Sequence, residues 1–578
     1  MTKLNTPTNN NTPLSTRRVR MLSYLLSFLL LACVLRLADW QIIRYNEIMQ
    51  LVPKYDGDAS HQPRSTRGMI LDHNGMPLAM DVWGYQIFAS PSGMGDEAAR
   101  RRAAEQLAVV LKRPPNAIWE KLANPKATYV VLDYQAQLQV GEAIAARDIP
   151  GIGLKATPLR YYPAGAMAAQ TIGFVNLSNT GLYGVEQLYH PYLNGETNEC
   201  RATPTAAAQR ISLGVRDFQP TPRACDLVLT LDWAIQDVVE RELAAAVERT
   251  RATSGTIVVV EPSTGKILAM ASSPAFDLNR FFESNDTLYN NPAVSLDYEP
   301  GSVVKIMTMA AGLDSGAFTP SSTMIDTGEI IVGGFKIHNW DNKGHGKVTM
   351  TDILAMSLNV GAAYISTSIG PAKFYEYANR FGFAKRTDVD LANETTGQMR
   401  QPSMSAWHFS DLGTNSYGQG MTMTPLQVAM MASAIANGGV LMKPYIVDAV
   451  VSQGQLHYNQ PQPVRRVVSS DTAHQLATML ADAVEKESIP ATIPTARIAG
   501  KTGTASIPNL RTGKYDLSST IASFVGWAPY DDARFVILVK LDKPQTTDFG
   551  SQAAAPVFRE IAKKLMTLLD VNAKVAVK

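Results

Sequence analysis

Glu299-Pro300-Gly301-Ser302-Val303-Val304-Lys305 opens an apolar run that reaches Leu313. Pro300 and Gly301 mark a loop, and Ile306, Met307, Met309, Ala310, Ala311 and Leu313 predict a buried helix. Ser302 then stands at the helix N-terminus with Lys305 one turn on, and residues three apart share a helical face. A serine hydroxyl becomes a nucleophile only beside a base, and a desolvated lysine amine can be that base. Ser302 is therefore a candidate for acylation. Taken alone, the stretch reads more simply as a serine-capped core helix with a snorkelling lysine.

The 578 residues suffice for several domains. With 46% hydrophobic and 18% charged residues and no extended low-complexity tract, the composition is globular. A net charge of +2 and a pI of about 8.2, without a basic block, give no sign of a nucleic-acid partner. Of three cysteines, Cys33 lies in an N-terminal apolar run, which leaves Cys200 and Cys225. No Cys-x-x-Cys or His-Glu-x-x-His spacing occurs, so neither a metal nor another cofactor is expected.

Residues 1–20 are polar and end in Arg17, Arg18 and Arg20; they predict a cytoplasmic tail. The uncharged run Met21–Leu35 is shorter than a full span, but Arg36 can snorkel and Leu37 and Ala38 extend it. The expectation is an uncleaved single-pass anchor over 21–37 in the cell (inner) membrane, with everything after it extracytoplasmic, hence periplasmic in a cell with two membranes. A cleaved signal peptide and a lipoprotein box at Leu30-Leu31-Ala32-Cys33 are the competing readings. In an oxidising compartment Cys200 and Cys225 either pair or stay free; a disulfide closing that loop would contribute ~3 kcal/mol.

Residues 38–228 predict a pedestal domain. Asp72-His73-Asn74-Gly75 reads as a hairpin turn, and 96–111, 115–122 and 135–146 read as helices. Arg160-Tyr161-Tyr162-Pro163 and Gly181-Leu182-Tyr183-Gly184-Val185-Glu186 carry no convergent catalytic set. Residues 229–570 form the second domain. A helix over 232–247 precedes a β-hairpin, Thr256–Glu261 and Lys266–Ala271, turning at Pro262–Gly265. That turn holds a second Ser-x-x-Lys, Ser263 to Lys266, rejected as a nucleophile because a hairpin turn gives the two side chains no shared face. From Ser302 to about Ala436 the chain reads as mostly helical, broken at Gly333-Gly334 and at Tyr417-Gly418-Gln419-Gly420. Strands return at 496–507, 521–527 and 535–541, and 556–569 closes the domain as a helix. Two strands before a helical insertion and three after it predict an α+β fold, an antiparallel sheet covered by helices on both faces.

Two further motifs follow Ser302 in the same domain. Ser357-Leu358-Asn359 ends a helical stretch that starts near Thr349; its hydroxyl could relay a proton and its amide could hold a substrate amide. Lys501-Thr502-Gly503-Thr504 lies on a strand, where a cation and two hydroxyls suit a carboxylate and Gly503 lets a ligand backbone approach. Each is weak alone. Their order and context resemble the signature of penicillin-binding proteins and serine β-lactamases. Over nearly its whole length the chain resembles class B penicillin-binding proteins, the peptidoglycan D,D-transpeptidases, most of all the division-type, FtsI-like branch. Arg67-Gly68-Met69-Ile70-Leu71-Asp72-His73-Asn74-Gly75, Arg160–Pro163, Gly181–Glu186, Glu299–Ser302, Tyr417–Gly420 and Lys501–Ala505 carry that likeness.

The resemblance implies a transpeptidase domain behind a dimerisation-type pedestal, and a donor stem peptide ending in D-Ala-D-Ala. Ser302 would attack the penultimate carbonyl, with Lys305 as base and Ser357 relaying a proton. Asn359 would position the donor amide, and Lys501, Thr502, Gly503 and Thr504 would hold its carboxylate, while the N–H groups of Ser302 and Thr504 meet the oxyanion. An amine from a neighbouring stem would then resolve the acyl-enzyme. It further implies inhibition by β-lactams, and an FtsW/RodA-type glycan polymerase and other divisome membrane proteins as partners. An elongation-type transpeptidase, a D,D-carboxypeptidase or β-lactamase-like hydrolase, and a non-enzymatic membrane penicillin sensor are the alternatives weighed.

Overall fold

The computed structural model describes Tyr24, Ser27 and Leu30 together with residues 67–200, 211–213, 216–218, 221, 224–509 and 514–569. The chain divides into two units, Met1–Arg64 and Ser65–Lys578. In the first, Tyr24, Ser27 and Leu30 are helical and exposed; the expected tail (1–20) and the remainder of the expected anchor (21–37) lie outside the described residues. Among the described residues no helix is long and apolar enough to cross a membrane.

The second unit begins with the expected hairpin, β1 (Ile70–Leu71) and β2 (Pro77–Ala89). Asp72 closes its turn by accepting the N–H groups of Asn74 at 2.9 Å and Met76 at 2.6 Å. Helix α1 (Glu97–Leu111) starts where Asp96 accepts from the Ala99 N–H, and α2 (Pro115–Leu122) has proline at its first position. The helix expected over 135–146 is shorter than read. Strand β3 (Val130–Gln137) occupies its start and α3 (Leu138–Ala145) follows, because Ala136 and Gln137 pair with β2. Strands β4 (Ile152–Tyr161) and β5 (Asp226–Leu229) complete the region. Cys200 and Cys225 form a disulfide with Cα atoms 4.7 Å apart, which selects the paired alternative.

The pedestal motifs do converge, as a buried charge cluster. Glu186 takes the Arg67 guanidinium and the Nε of Arg160 at 2.8 Å, and Arg160 Nη1 reaches Asp81 at 3.2 Å. Burial pushes the Glu186 carboxyl up, but Arg160 and Arg67 outweigh it and hold the group below its ordinary value.

After Asp232 caps α4 (Trp233–Thr250), the predicted hairpin appears as β6 (Ser254–Val260) and β7 (Ile267–Ser273). Helix α5 (Lys305–Asp314) follows the single 3-10 turn Gly301–Val304. The next stretch is less helical than read: Thr323–Asp326 pairs with Gly346–Thr349, and Glu329–Val332 with Phe335–His338. Strands of four residues present too few turns of either period to be told from loop. Then come α6 (Met350–Ala355), α7 (Asn359–Arg380), α8 (Pro425–Ala436), β8 (Val447–Ser452), β9 (Gln455–Tyr458) and α9 (Ser470–Lys486). The chain closes with β10 (Ala499–Asn509), β11 (Lys514–Ala528), β12 (Phe535–Asp542) and α10 (Ala555–Leu568).

The catalytic-side sheet has the order β7-β6-β12-β11-β10, antiparallel throughout. Its alternation explains the two-layer cover. Ile257 and Val259 of β6 pack with Val239 and Leu243 of α4 and Phe558 and Ile561 of α10, whereas Val258 and Val260 join Ile306, Met307 and Met430 on the other face. Strand β10 is left at the edge. The other large sheet has the order β9-β8-β5-β1-β2-β3, with β4 on β2. Its β5 pairs parallel with β1 and antiparallel with β8 from the far half of the chain, so position 228 falls inside a strand that both halves share.

Candidate active site

The nucleophile stretch is held against the edge strand by backbone. Gly301 has φ 62°, and a Cβ there would stand 3.2 Å from both the Thr504 carbonyl oxygen and the Ala505 Cβ. A Cβ at Gly503 would stand 2.3 Å from Ser523 Oγ and 3.1 Å from the Pro300 carbonyl oxygen. Gly503 is thus needed so that the 300–304 turn and β11 can close on β10, a packing constraint in addition to the ligand approach expected. The Tyr417–Gly420 loop completes the seat: Gly301 N–H donates to the Gly418 carbonyl at 3.1 Å.

Side chains from three motifs meet there. Lys305 Nζ lies 3.0 Å from Ser302 Oγ, 2.6 Å from the Ser357 carbonyl oxygen, 3.2 Å from Ser357 Oγ and 2.9 Å from Asn359 Oδ1. Lys501 Nζ donates to Ser357 Oγ at 2.9 Å, joining side chains 144 residues apart in sequence. Ser357 holds a left-handed backbone, φ 57°, which is unusual for a residue with a Cβ. Asn359 opens α7 rather than ending the preceding helix, and its Nδ2 donates to the His338 carbonyl at 3.1 Å. Both ends of this amide are therefore engaged within the protein. Thr502 Oγ1 lies 3.4 Å from Lys501 Nζ. Thr504 is exposed, and its hydroxyl accepts the Gly550 N–H at 3.1 Å, which leaves its own proton free to donate.

The electrostatics follow from burial. Lys305 is 1% exposed and Lys501 2%. Burial, then repulsion from Lys501, holds the Lys305 amine well below its ordinary value. Burial pushes Lys501 down to about 7, with Glu487 opposing. A neutral amine has two N–H groups and one lone pair. The Ser357 carbonyl and Asn359 Oδ1 can only accept, so they take both N–H groups. The lone pair is left to accept from a hydroxyl, and two stand within reach, Ser302 at 3.0 Å and Ser357 at 3.2 Å. Ser302 itself is half-buried and open to a substrate.

The second Ser-x-x-Lys has no such setting. Ser263 is exposed and Lys266 Nζ is paired with Asp448 at 2.8 Å. Residues not singled out from sequence also line the site. Trp340 Nε1 donates to the Met356 carbonyl at 3.1 Å, and its ring meets that of Phe549 at 5.9 Å. Glu299 Oε1 accepts from Gly420 N–H at 3.1 Å, and Tyr515 OH donates to Glu299 Oε2 at 3.1 Å. Neither Trp340 nor Tyr515 belongs to a fixed-spacing motif, so no sequence signal marked them.

A serine hydroxyl in contact with a buried amine held well below its ordinary value, beside a second hydroxyl and a second lysine, is equipment for acyl transfer through a covalent serine ester. Comparison with known proteins agrees. Residues 255–563 match the penicillin-binding protein transpeptidase domain and residues 63–229 the penicillin-binding protein dimerisation domain. The chain belongs to the penicillin-binding protein transpeptidase family, and its two domains make it a class B member. It is 30% identical over 516 residues to stage V sporulation protein D of Bacillus subtilis, covering 88% of this chain and 79% of that one. It is also 30% identical over 526 residues to the peptidoglycan D,D-transpeptidase FtsI of Escherichia coli K12, covering 88% and 85%. Among solved structures, penicillin-binding protein 3 of Mycobacterium tuberculosis in complex with aztreonam superposes with a TM-score of 0.67 at 28% identity, over 88% of this chain and 97% of that one.

Proposed function

We propose that this protein crosslinks peptidoglycan stem peptides at the division septum through an acyl ester on Ser302. It is a serine-type D,D-transpeptidase and a β-lactam target. The contact that carries the assignment of roles is Lys305 Nζ at 3.0 Å from Ser302 Oγ, with the Ser357 carbonyl and Asn359 Oδ1 accepting from the same buried amine. Ser302 attacks the penultimate D-alanyl carbonyl and its proton passes to Lys305. The oxyanion is met by the N–H groups of Ser302 and Thr504, each such contact worth ~3–4 kcal/mol in the transition state. The proton crosses Ser357 to the departing D-alanine amine, and Lys501, Thr502 and Thr504 hold the terminal carboxylate. Asn359 acts first on Lys305, by accepting a hydrogen bond from its amine, and orients the donor through its second Nδ2–H and its remaining Oδ1 lone pair. The similarity to the peptidoglycan D,D-transpeptidase FtsI of Escherichia coli supports the septal assignment, and the basic flank of the run at 21–37 supports a single-pass anchor with the catalytic part outside the cell membrane. An FtsW/RodA-type polymerase is the partner this reading implies.

Fluorescent penicillin is expected to label the wild-type protein covalently and to leave Ser302→Ala unlabelled. Labelling that persists in Ser302→Ala would sink the assignment of the nucleophile.

A further inference from the structure

A transpeptidase has two substrates of opposite charge at their reacting ends. The donor ends in a carboxylate, while the acceptor arrives as an ammonium ion. Around Ser302 the structure answers the first need with Lys501, which is linked through Ser357 to the base Lys305. An ammonium is repelled from that end and needs an anion elsewhere beside the nucleophile.

Glu299 is that anion. It lies three residues before Ser302, immediately ahead of the turn that seats the nucleophile against β10. Its carboxylate is half-buried, and its partners are neutral: the Gly420 N–H at 3.1 Å and the Tyr515 hydroxyl at 3.1 Å. Among the described residues it has no ion-pair partner, whereas the buried Glu186 is met by two arginines. Burial also pushes the Glu299 carboxyl up, with the Gly420 and Tyr515 contacts opposing. A carboxylate kept partly from water and left without a cation is an interaction held in reserve for a cationic ligand. The two contacts hold it in place: Gly420 belongs to the loop bonded to Gly301, and Tyr515 stands on β11 near its hairpin with the edge strand.

We propose that Glu299, oriented by Tyr515 and the Gly420 N–H, forms the binding subsite for the protonated primary amine of the acceptor stem peptide. This rests on the transpeptidase reading above. The acceptor enters as R–NH3+ and its charge is met by the carboxylate. One proton passes to Glu299 and on to water, leaving a free amine. Its lone pair attacks the acyl carbon of the Ser302 ester, the C–N bond forms and the C–Oγ bond breaks. The second amine proton returns through Ser357 and Lys305 to Ser302 Oγ, and the enzyme is restored.

The readout is how the acyl-enzyme partitions between amine and water, a ratio independent of how fast the acyl-enzyme forms. Full-length protein in detergent is given an N-acyl-D-alanyl ester donor with either glycinamide, an acceptor largely protonated near neutrality, or hydroxylamine, which is neutral there. In Glu299→Gln the aminolysis-to-hydrolysis ratio with glycinamide is expected to fall about tenfold, the scale of losing one charge-assisted contact. With hydroxylamine it is expected to hold, and Tyr515→Phe is expected to fall between the wild type and Glu299→Gln. Equal falls with both amines would mean that Glu299 only shapes the loop, and no change with either would mean that the acceptor binds elsewhere; each overturns the proposal. Absence of any acyl-enzyme in the wild type would instead overturn the transpeptidase reading, so the two failures are distinguishable.

Discussion

Two of the buried charge clusters among the described residues, one in each half of the chain, are built on opposite rules. In the pedestal, Glu186 and Asp81 answer Arg67 and Arg160, and the two arginine-bearing motifs are locked to the Glu186 motif. In the catalytic half, Lys305 and Lys501 are equally buried but no carboxylate pairs with either among the described residues. A compensated cluster keeps its charges and contributes to a defined structure. An uncompensated one sheds a proton instead, and a lysine that has lost its proton is a base. The two uses of burial differ only in whether opposite charge is supplied.

That contrast is sharpest under substitution. Lys305→Met removes the base, and acylation by penicillin is expected to drop by about 10²–10⁴-fold, the usual weight of a general base. Its thermal midpoint is expected to hold or rise. Both lysines have lowered folded-state values, so the folded protein binds fewer protons than the unfolded chain, which penalises folding below the unfolded value of about 10.4. A midpoint that fell sharply would show that Lys305 is structural and break the contrast. Glu186→Gln should do the reverse. It leaves two buried guanidinium groups facing one carboxylate and is expected to destabilise by about 3–5 kcal/mol, read by denaturant unfolding, while molecules that remain folded still acylate.

A third, smaller effect separates the two lysines. Lys501 sits at about 7 in the free protein, so its charge is present below that pH and lost as pH rises through it. Affinity for a donor ending in a free carboxylate is expected to weaken by up to about tenfold per pH unit above 7. A donor capped as an amide should show no such alkaline limb, and titrating KM for the two donors across pH 6–9 would expose the difference. Identical profiles would remove Lys501 from carboxylate binding.

The site was partly legible in the sequence because its chemistry sits in short local motifs. Ser302 and Lys305 share a helical face by spacing, and the hairpin ahead of them and the three strands behind them follow from runs of β-branched residues and turn chemistry. The parts misread were those with weak local signals. Four-residue strands between Thr323 and Thr349 read as loop and helix, and the last three residues of β3 read as helix because Ala136 and Gln137 suit either. The close packing of Gly503 on Ser523 and Pro300 has no local signal either, because those neighbours stand on elements distant in sequence.

By itself the sequence determined the kind of chemistry, the order of strands around the insertion, and which residue types stand at which spacing, because these depend on side-chain identity and local periodicity. Only the tertiary structure decided that Lys501 reaches Ser357, that β5 is shared between the two halves, and that Glu299, among the described residues, has no cation paired with it. Those facts depend on burial and on contacts across more than a hundred residues. Burial is what turns a lysine, ordinarily a surface cation, into a base.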